Sequence, residues 1–383
     1  RAGWRVTVLA RAPVSEEVGA GLQLSPNATS ILRDWGVLRR LDGLALAPAA
    51  VRIRRARDGA DLTHIPLADA EQRWGAPYLV AHRADLQRAL VEQAALEPAI
   101  AIRTNMALAG FAATSDHVVV AARQGLVSVQ LEGHLLVGAD GLRSMVRERL
   151  GLGVNDQPHY SDRTAWRATI ESSQVAPEML RPESQLWLGP KAHLVHYPLR
   201  GGAVVNVVAI VEDSFRVEAR RDFWSTVGDA GFLTKRFARW HESARALLAA
   251  APEWRKWPLF DRDPVSRWSA RRVVLLGDAA HPMLPFLAQG AAQAIEDAAA
   301  LGAALAQNAD LEQAFIAYET ARVGRAGRIQ SQSRLQSTIY HLSGPAAMAR
   351  DLVLRSMGPR RMLARYAWIY SSAPVPPTRA RAA

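Results

Sequence analysis

The chain has 383 residues, 49% hydrophobic and 22% charged, enough for two domains with substantial cores. Cysteine is absent, which excludes disulfides, thiol nucleophiles and thiolate metal sites and fits a cytoplasmic location. The formal charge of +11 comes almost wholly from arginines scattered along the chain, which argues against a nucleic-acid footprint and leaves a field that attracts small anions.

Residues 5–9, Arg-Val-Thr-Val-Leu, form a short β-rich run after Ala2-Gly3, which reads as a helix end with its glycine stop. In a dinucleotide-binding unit such a strand follows a first strand, a G-x-G-x-x-G turn and a helix, and it ends on an acid for the ribose hydroxyls. No G-x-G-x-x-G occurs here, and Val8-Leu9 is followed by Ala10 and Arg11. The expectation is a fragment of a longer reading frame. Its missing strand would lie between residues 5–9 and 273–276, leaving two inner strand edges unpaired. Gly19-Ala20-Gly21 allow close backbone approach, and Ser25-Pro26 suit the start of a helix expected over 27–41.

Alternation about Asp58-Gly59 predicts a β-hairpin over 51–66. His82-Arg83-Ala84-Asp85-Leu86 opens an amphipathic helix whose guanidinium suits a phosphate. Strand-like runs at 117–122, 126–131 and 134–137 lead to Gly138-Ala139-Asp140-Gly141 at a strand-to-helix turn. There two glycines let the backbone approach a pyrophosphate, while Asp140 fixes the turn or meets a ribose.

Residues 155–265 shift to tryptophan, proline and short alternating runs, the pattern of a mostly antiparallel sheet with one buried face. In the strand over 193–198, His193, Val195 and Tyr197 share a face and His196 takes the other. Residues 222–251 read as helical, and Trp254, Trp257 and Trp268 as a packing cluster. Residues 273–300 run from a buried strand through Gly277-Asp278 and a loop with Pro282 and Pro285 into an alanine-rich helix after Gln289-Gly290-Ala291. Bare N–H groups and the helix dipole at such a terminus favour negative charge. Residues 311–337 read as one or two helices, followed by a basic helical tail to 370. No metal constellation is present, and no apolar run approaches the roughly 18 residues of a membrane span.

Taken together, the strings at 273–300, 138–144, 82–86 and 18–24 resemble the single-component FAD-dependent aromatic-ring monooxygenases, the family of salicylate hydroxylase and para-hydroxybenzoate hydroxylase. The resemblance implies an α/β fold: a Rossmann-like FAD-binding domain, here without its first strand and phosphate loop, an inserted mostly antiparallel substrate sheet, and C-terminal helices. Its expected boundaries are 1–50, 80–154 and 266–345 for the FAD domain, 51–79 and 155–265 for the substrate domain, and 346–383 for the tail.

The resemblance also implies that NADH or NADPH reduces FAD, that dioxygen adds to the reduced ring as a hydroperoxide, and that a hydroxyl passes to a small phenolic or carboxylated aromatic. Cofactor contacts are expected from Gly19, Ala20 and Gly21 at the ring edge, from Arg83 near the phosphates, and from Asp140, Gly141, Gly277, Asp278, Pro285, Gln289, Gly290 and Ala291, with Arg11 at the end of the first strand. An H-x-x-x-Y pair, His193 and Tyr197, is expected in the substrate pocket, with His193 as the group that takes or relays the phenol proton. Tyr318, Arg322 and Arg325 resemble the family's Y-E-x-x-R region. A homodimer stays open, as do an epoxidase or other oxidase of the same fold and a non-catalytic remnant.

Overall fold

The structure, a computed structural model, describes residues 3–12, 21–153, 156–213 and 226–371. The first described elements are β1 (Val6–Leu9), β2 (Gly21–Leu24) and α1 (Pro26–Asp34). The helix expected over 27–41 stops at Asp34, because Gly36 takes a left-handed φ of +79° and the chain resumes only as a 3₁₀ turn at Leu38–Leu41. The hairpin is β3 (Ala50–Arg55) and β4 (Asp61–Pro66), turning through Gly59 at φ +68°. Next come α2 (Ala70–Trp74), β5 (Leu79–His82), α3 (Arg83–Ala94) and β6 (Ile100–Arg103). A meander of β7 (Ala107–Ala113), β8 (Val118–Gln124) and β9 (Val127–Gly133) leads to β10 (Leu136–Gly138) and α4 (Met145–Leu150).

The second half supplies β11 (His159–Glu171), β12 (Ser184–Gly189), β13 (Ala192–Leu199), β14 (Val204–Glu212) and β15 (Thr226–Val227). The helix expected over 222–251 is, in its described part, β15 followed by two short helices, α5 (Ala230–Arg236) and α6 (Glu242–Ala249). Asp229 and His241 cap their N-termini through side chains, and each cap interrupts the helical backbone. After β16 (Arg255–Asp261), β17 (Ser269–Ala270) and β18 (Val273–Leu275) come α7 (Gly290–Gln307), α8 (Leu311–Tyr340) and α9 (Gly344–Tyr370). Helix α8 is unbroken, and α9 kinks at Gly358-Pro359.

One eight-stranded sheet dominates, in the order β15-β16-β11-β14-β13-β12-β3-β4, antiparallel except where β12 meets β3. Because its side chains alternate, the sheet builds two cores. Trp166, Trp187, Leu194 and Val207 pack beneath α5 and α6 with Phe237 and Trp240. On the opposite face Ala165, Leu186, Leu188 and Ile210 meet Phe286 and the α9 aromatics Tyr366 and Tyr370. The three tryptophans do not cluster: Trp254 joins the α5–α6 core, Trp268 packs with Tyr318, and Trp257 lies under the Arg167 guanidinium.

Parallel pairing occurs in two further pieces, β1 with β6 and β10 with β18. The expected open edge is not found at β18, since β17 folds back antiparallel along Val273 and Val274 while β10 bonds its other side. Among the described residues, β1 has β6 as its one partner.

Candidate active site

Strand β18 is wholly buried and delivers Gly277 at φ +63°. A side chain there would be strained, and its Cβ would stand 3.2 Å from Ala294 on α7. The Gly277 N–H donates to the Asp297 carboxylate at 2.9 Å, which locks the turn. Asp278 is exposed, yet protein groups crowd its carboxyl. Burial raises its pKa, Asp297 adds to the rise, and His281 and Arg83 oppose it. Arg83, at the start of α3, is thus near enough to act on this carboxyl. Pro285–Leu287 makes a 3₁₀ turn, Ala288 adopts φ +53°, and α7 begins at Gly290 with no side chain capping it. Its first N–H groups are left for something in the cleft.

Beneath this surface lies a buried polar lattice. Asn27 on α1 donates to Gln289 at 3.3 Å and to Glu296 at 2.5 Å, and Gln289 donates to Ser25 at 2.8 Å. Arg322 on α8 donates to Asp297 at 2.7 Å and to Gln293 at 2.7 Å, and also pairs with Glu296. Arg325 clamps Glu296 at 2.8 Å and the carbonyls of Trp368 and Ile369 at 2.9 and 2.8 Å. Burial alone would raise the Asp297 carboxyl, but His281 and Arg322 overcome it and hold the group low. The resemblance pointed to Arg322 and Arg325. Their acceptors Glu296 and Asp297 were not singled out, although two acids inside an alanine-rich helix were a visible signal.

At the middle turn Asp140 is exposed and takes part in the start of the helix that follows. Asp140 accepts from the Ser144 hydroxyl at 2.5 Å and from the Val146 N–H at 3.2 Å, so it fixes the start of α4, with Gly141 at φ +81°. Arg147, which the sequence did not flag, is almost wholly buried. It donates to Asp156 at 2.6 and 2.8 Å and to the Ala280 carbonyl at 2.6 Å, tying this turn to the Asp278 loop.

The sheet face opposite α5 and α6 forms the other wall. His193 and Tyr197 both lie on it, with Val195 between them and backbones about 13 Å apart at strand rise. His193 packs against Phe286 and Tyr340, and its Nδ1 lies 2.8 Å from His341 Nε2. His341 Nδ1 stands 3.5 Å from the partly exposed Glu212 carboxylate but makes no hydrogen bond to it. Burial, then His341 and Arg163, depress the His193 pKa well below its usual value, and burial pushes His341 down to about 3. No sequence spacing linked His341 to His193.

Tyr197 sits at the other end. Gly21 approaches it so closely that a Cβ would come within 2.7 Å of the Tyr197 hydroxyl oxygen and of Asn206. The Gly21 N–H donates to Asn206 Oδ1 at 2.8 Å, so the closeness that this glycine permits is to the sheet. Arg83 acts on the Asp278 carboxyl, Pro285, Gly290 and Ala291 lie on the loop and helix start that follow it, Gln289 is buried in the polar lattice, and Arg11 is exposed after β1. Gly19 and Ala20 lie outside the described residues.

A family model described as an FAD binding domain matches residues 1–332. The chain is 33% identical over 372 residues to a 3-hydroxybenzoate 6-hydroxylase of Klebsiella oxytoca, covering 97% of this chain and 91% of the relative. The chain belongs to the FAD-dependent aromatic-ring monooxygenases. It is also 36% identical over 380 residues to a 3-amino-4-hydroxybenzoate 2-monooxygenase of Streptomyces platensis, covering 98% of this chain and 92% of that one. In fold it matches a solved salicylate hydroxylase substrate complex with a TM-score of 0.80 at 22% identity, covering 100% of each chain.

This enzyme is thus an FAD-dependent aromatic hydroxylase, and its residues fit the cofactor's ring end. The uncapped start of α7 offers backbone donors to a polar or anionic edge.

Proposed function

We propose that the enzyme uses NADH or NADPH and dioxygen to hydroxylate a small aromatic acid that already carries a ring hydroxyl. The balance is ArH + O₂ + NAD(P)H + H⁺ giving ArOH + NAD(P)⁺ + H₂O. When bound, FAD supplies the electron transfer from the nicotinamide and the activation of dioxygen. The observation that carries the reading is His193: a buried imidazole held neutral by its surroundings, packed on the loop that runs into α7 and hydrogen-bonded to His341.

A neutral imidazole accepts a proton from a substrate phenol, and loss of that proton makes the ring electron-rich where oxygen is to add. His341, 2.8 Å away, takes the proton onward, with the partly exposed Glu212 carboxylate as its nearest acid. Phe286 and Leu287 dry the space between loop and sheet, which favours oxygen transfer over loss of peroxide to water. Asp278 and the start of α7 would hold the polar edge and ribityl side of the flavin, with Arg83 toward the phosphates. The relatives' names, 3-hydroxybenzoate 6-hydroxylase and 3-amino-4-hydroxybenzoate 2-monooxygenase, support a hydroxylated benzoate as the substrate class.

The test is to supply FAD-loaded full chain with NADH or NADPH and a panel of hydroxybenzoates, following nicotinamide oxidation and product mass together. A gain of one oxygen atom in step with nicotinamide oxidation is expected. Oxidation that yields only hydrogen peroxide with every acid on the panel would sink the proposal.

A further inference from the structure

Helix α9 consists of two helical pieces. Gly358 takes φ +65° and ψ 169°, a region essentially confined to glycine, and Pro359 after it has no N–H to donate back across the break. Residues 359–370 are therefore not held in place by helix continuity. Their own contacts hold them. One face of the segment, Met362, Leu363, Tyr366, Ile369 and Tyr370, is buried in the core that contains Phe286, while Arg360, Arg361 and Arg365 are exposed.

The rings of the buried face reach the sheet wall that carries His193. Tyr366 interacts with the phenol of Tyr340, and Tyr340 packs edge-on against His193 with ring centres 5.3 Å apart. Phe286, on the loop that enters α7, touches both His193 and Tyr340. Where the segment sits thus decides how tightly this side of His193 is closed.

One guanidinium fixes the segment's end. The last carbonyls of a helix have no partner within it, and a cation there also answers the helix dipole. Arg325 on α8 donates to the carbonyls of Trp368, Ile369 and Ser371 at 2.9, 2.8 and 3.3 Å. Its Nε and Nη2 meet the Glu296 carboxylate at 2.8 and 2.9 Å, and three residues on, the Arg328 guanidinium lies 3.9 Å from the Trp368 ring centre. Glu296 also accepts from Asn27 and Arg322. It keeps both donors without Arg325, so what Arg325 adds is the tie between the end of α9 and the lattice under α7.

We propose that Arg325 is a positioning residue for the hydroxylation: it docks residues 359–370 as a seal that keeps water from the space beside His193. The assignment rests on the hydroxylase reading above and deepens it, since water in that space diverts activated oxygen to hydrogen peroxide. The uncoupled balance is O₂ + NAD(P)H + H⁺ giving H₂O₂ + NAD(P)⁺.

The experiment compares FAD-loaded full chain of the wild type, Arg325→Gln and Arg325→Lys on the hydroxybenzoate panel, 3-hydroxybenzoate first. Hydrogen exchange reads the docking, and product formed per nicotinamide oxidised reads the seal. In Arg325→Gln the amides of 359–370 should exchange at least roughly tenfold faster, as for loss of charge-assisted hydrogen bonds, while β18 and α7 exchange as in the wild type. Product per nicotinamide should fall, and hydrogen peroxide should make up the difference. Flavin content and the rate of nicotinamide oxidation should hold. Arg325→Lys keeps the charge at the helix end and should recover part of the coupling.

Unchanged exchange at 359–370 overturns the proposal, and so does faster exchange there with wild-type coupling. If β18 and α7 loosen as much as the segment and flavin is lost, Arg325 is a general prop of the fold and the proposal is overturned too. If the segment alone loosens, yet neither wild type nor variant hydroxylates any acid on the panel, the docking stands and the hydroxylase reading falls.

Discussion

The two walls of the cleft treat buried polarity in opposite ways. Under α7 the charges are matched: Glu296 and Asp297 answer Arg322, Arg325 and His281, and Asn27 closes the lattice onto α1. On the sheet, Arg167 and Asn206 keep donor capacity that no described residue uses, and His193 is bonded only to another imidazole. The first pattern makes a rigid platform. The second leaves hydrogen-bonding capacity that the described residues do not use.

The contrast is broken most severely at its rigid side. Arg322→Leu would leave Glu296 and Asp297 buried without their main counter-charge, a loss of about 3–5 kcal/mol. Thermal denaturation and flavin content should both collapse, and a variant that melts like the wild type would show that the lattice is not what holds α7. His193→Ala tests the open side. Removing the proton acceptor should slow hydroxylation roughly 10²–10⁴-fold, with flavin content unchanged. Coupled, fast turnover in that variant would refute the assignment.

Smaller effects sharpen the comparison. Gly277→Ala forces a left-handed β-carbon toward Ala294 and should cost about 1–2 kcal/mol, read as a lower melting temperature with weaker flavin retention. His341→Asn should slow turnover by less than the roughly 10²-fold that marks loss of a direct acceptor, and should alter the pH profile of hydroxylation. An unchanged profile would remove His341 and Glu212 from the proton path.

A last test concerns acid. His193, His341 and His196 are all held below the usual 6.5, the latter two at about 3, mainly by burial. The unfolded chain therefore binds protons that the folded chain refuses. Stability is full above pH 6.5 and declines as pH falls through the window down to about 3. Each such histidine contributes up to about 1.4 kcal/mol per pH unit. In His196→Asn the denaturant midpoint should fall less steeply over that window.

Much of this was legible from local chemistry. The Gly277-Asp278 turn, the α7 start and the shared face of His193 and Tyr197 follow from strand alternation, glycine conformation and proline punctuation, all of which act over a few residues. Helix ends were less legible. Gly36 ended a helix expected to continue, and Asp229 and His241 divided another by capping, since a single cap outweighs weak periodicity. That Ser144 and Val146 fold back onto Asp140 was not legible in the sequence either.

By itself, then, the sequence determined the family, the strand-loop-helix over 273–300 and the shared face of His193 and Tyr197, because each is written in residues that adjoin along the chain. Only the tertiary structure decided who answers whom in the interior. Asn27 meets Glu296, Arg147 meets the Ala280 carbonyl, and His193 meets His341 across long stretches of chain. The solitude of Arg167 belongs to the same category. A side chain's partners, or their absence, are fixed by which strands and helices pack together, and no local pattern records that.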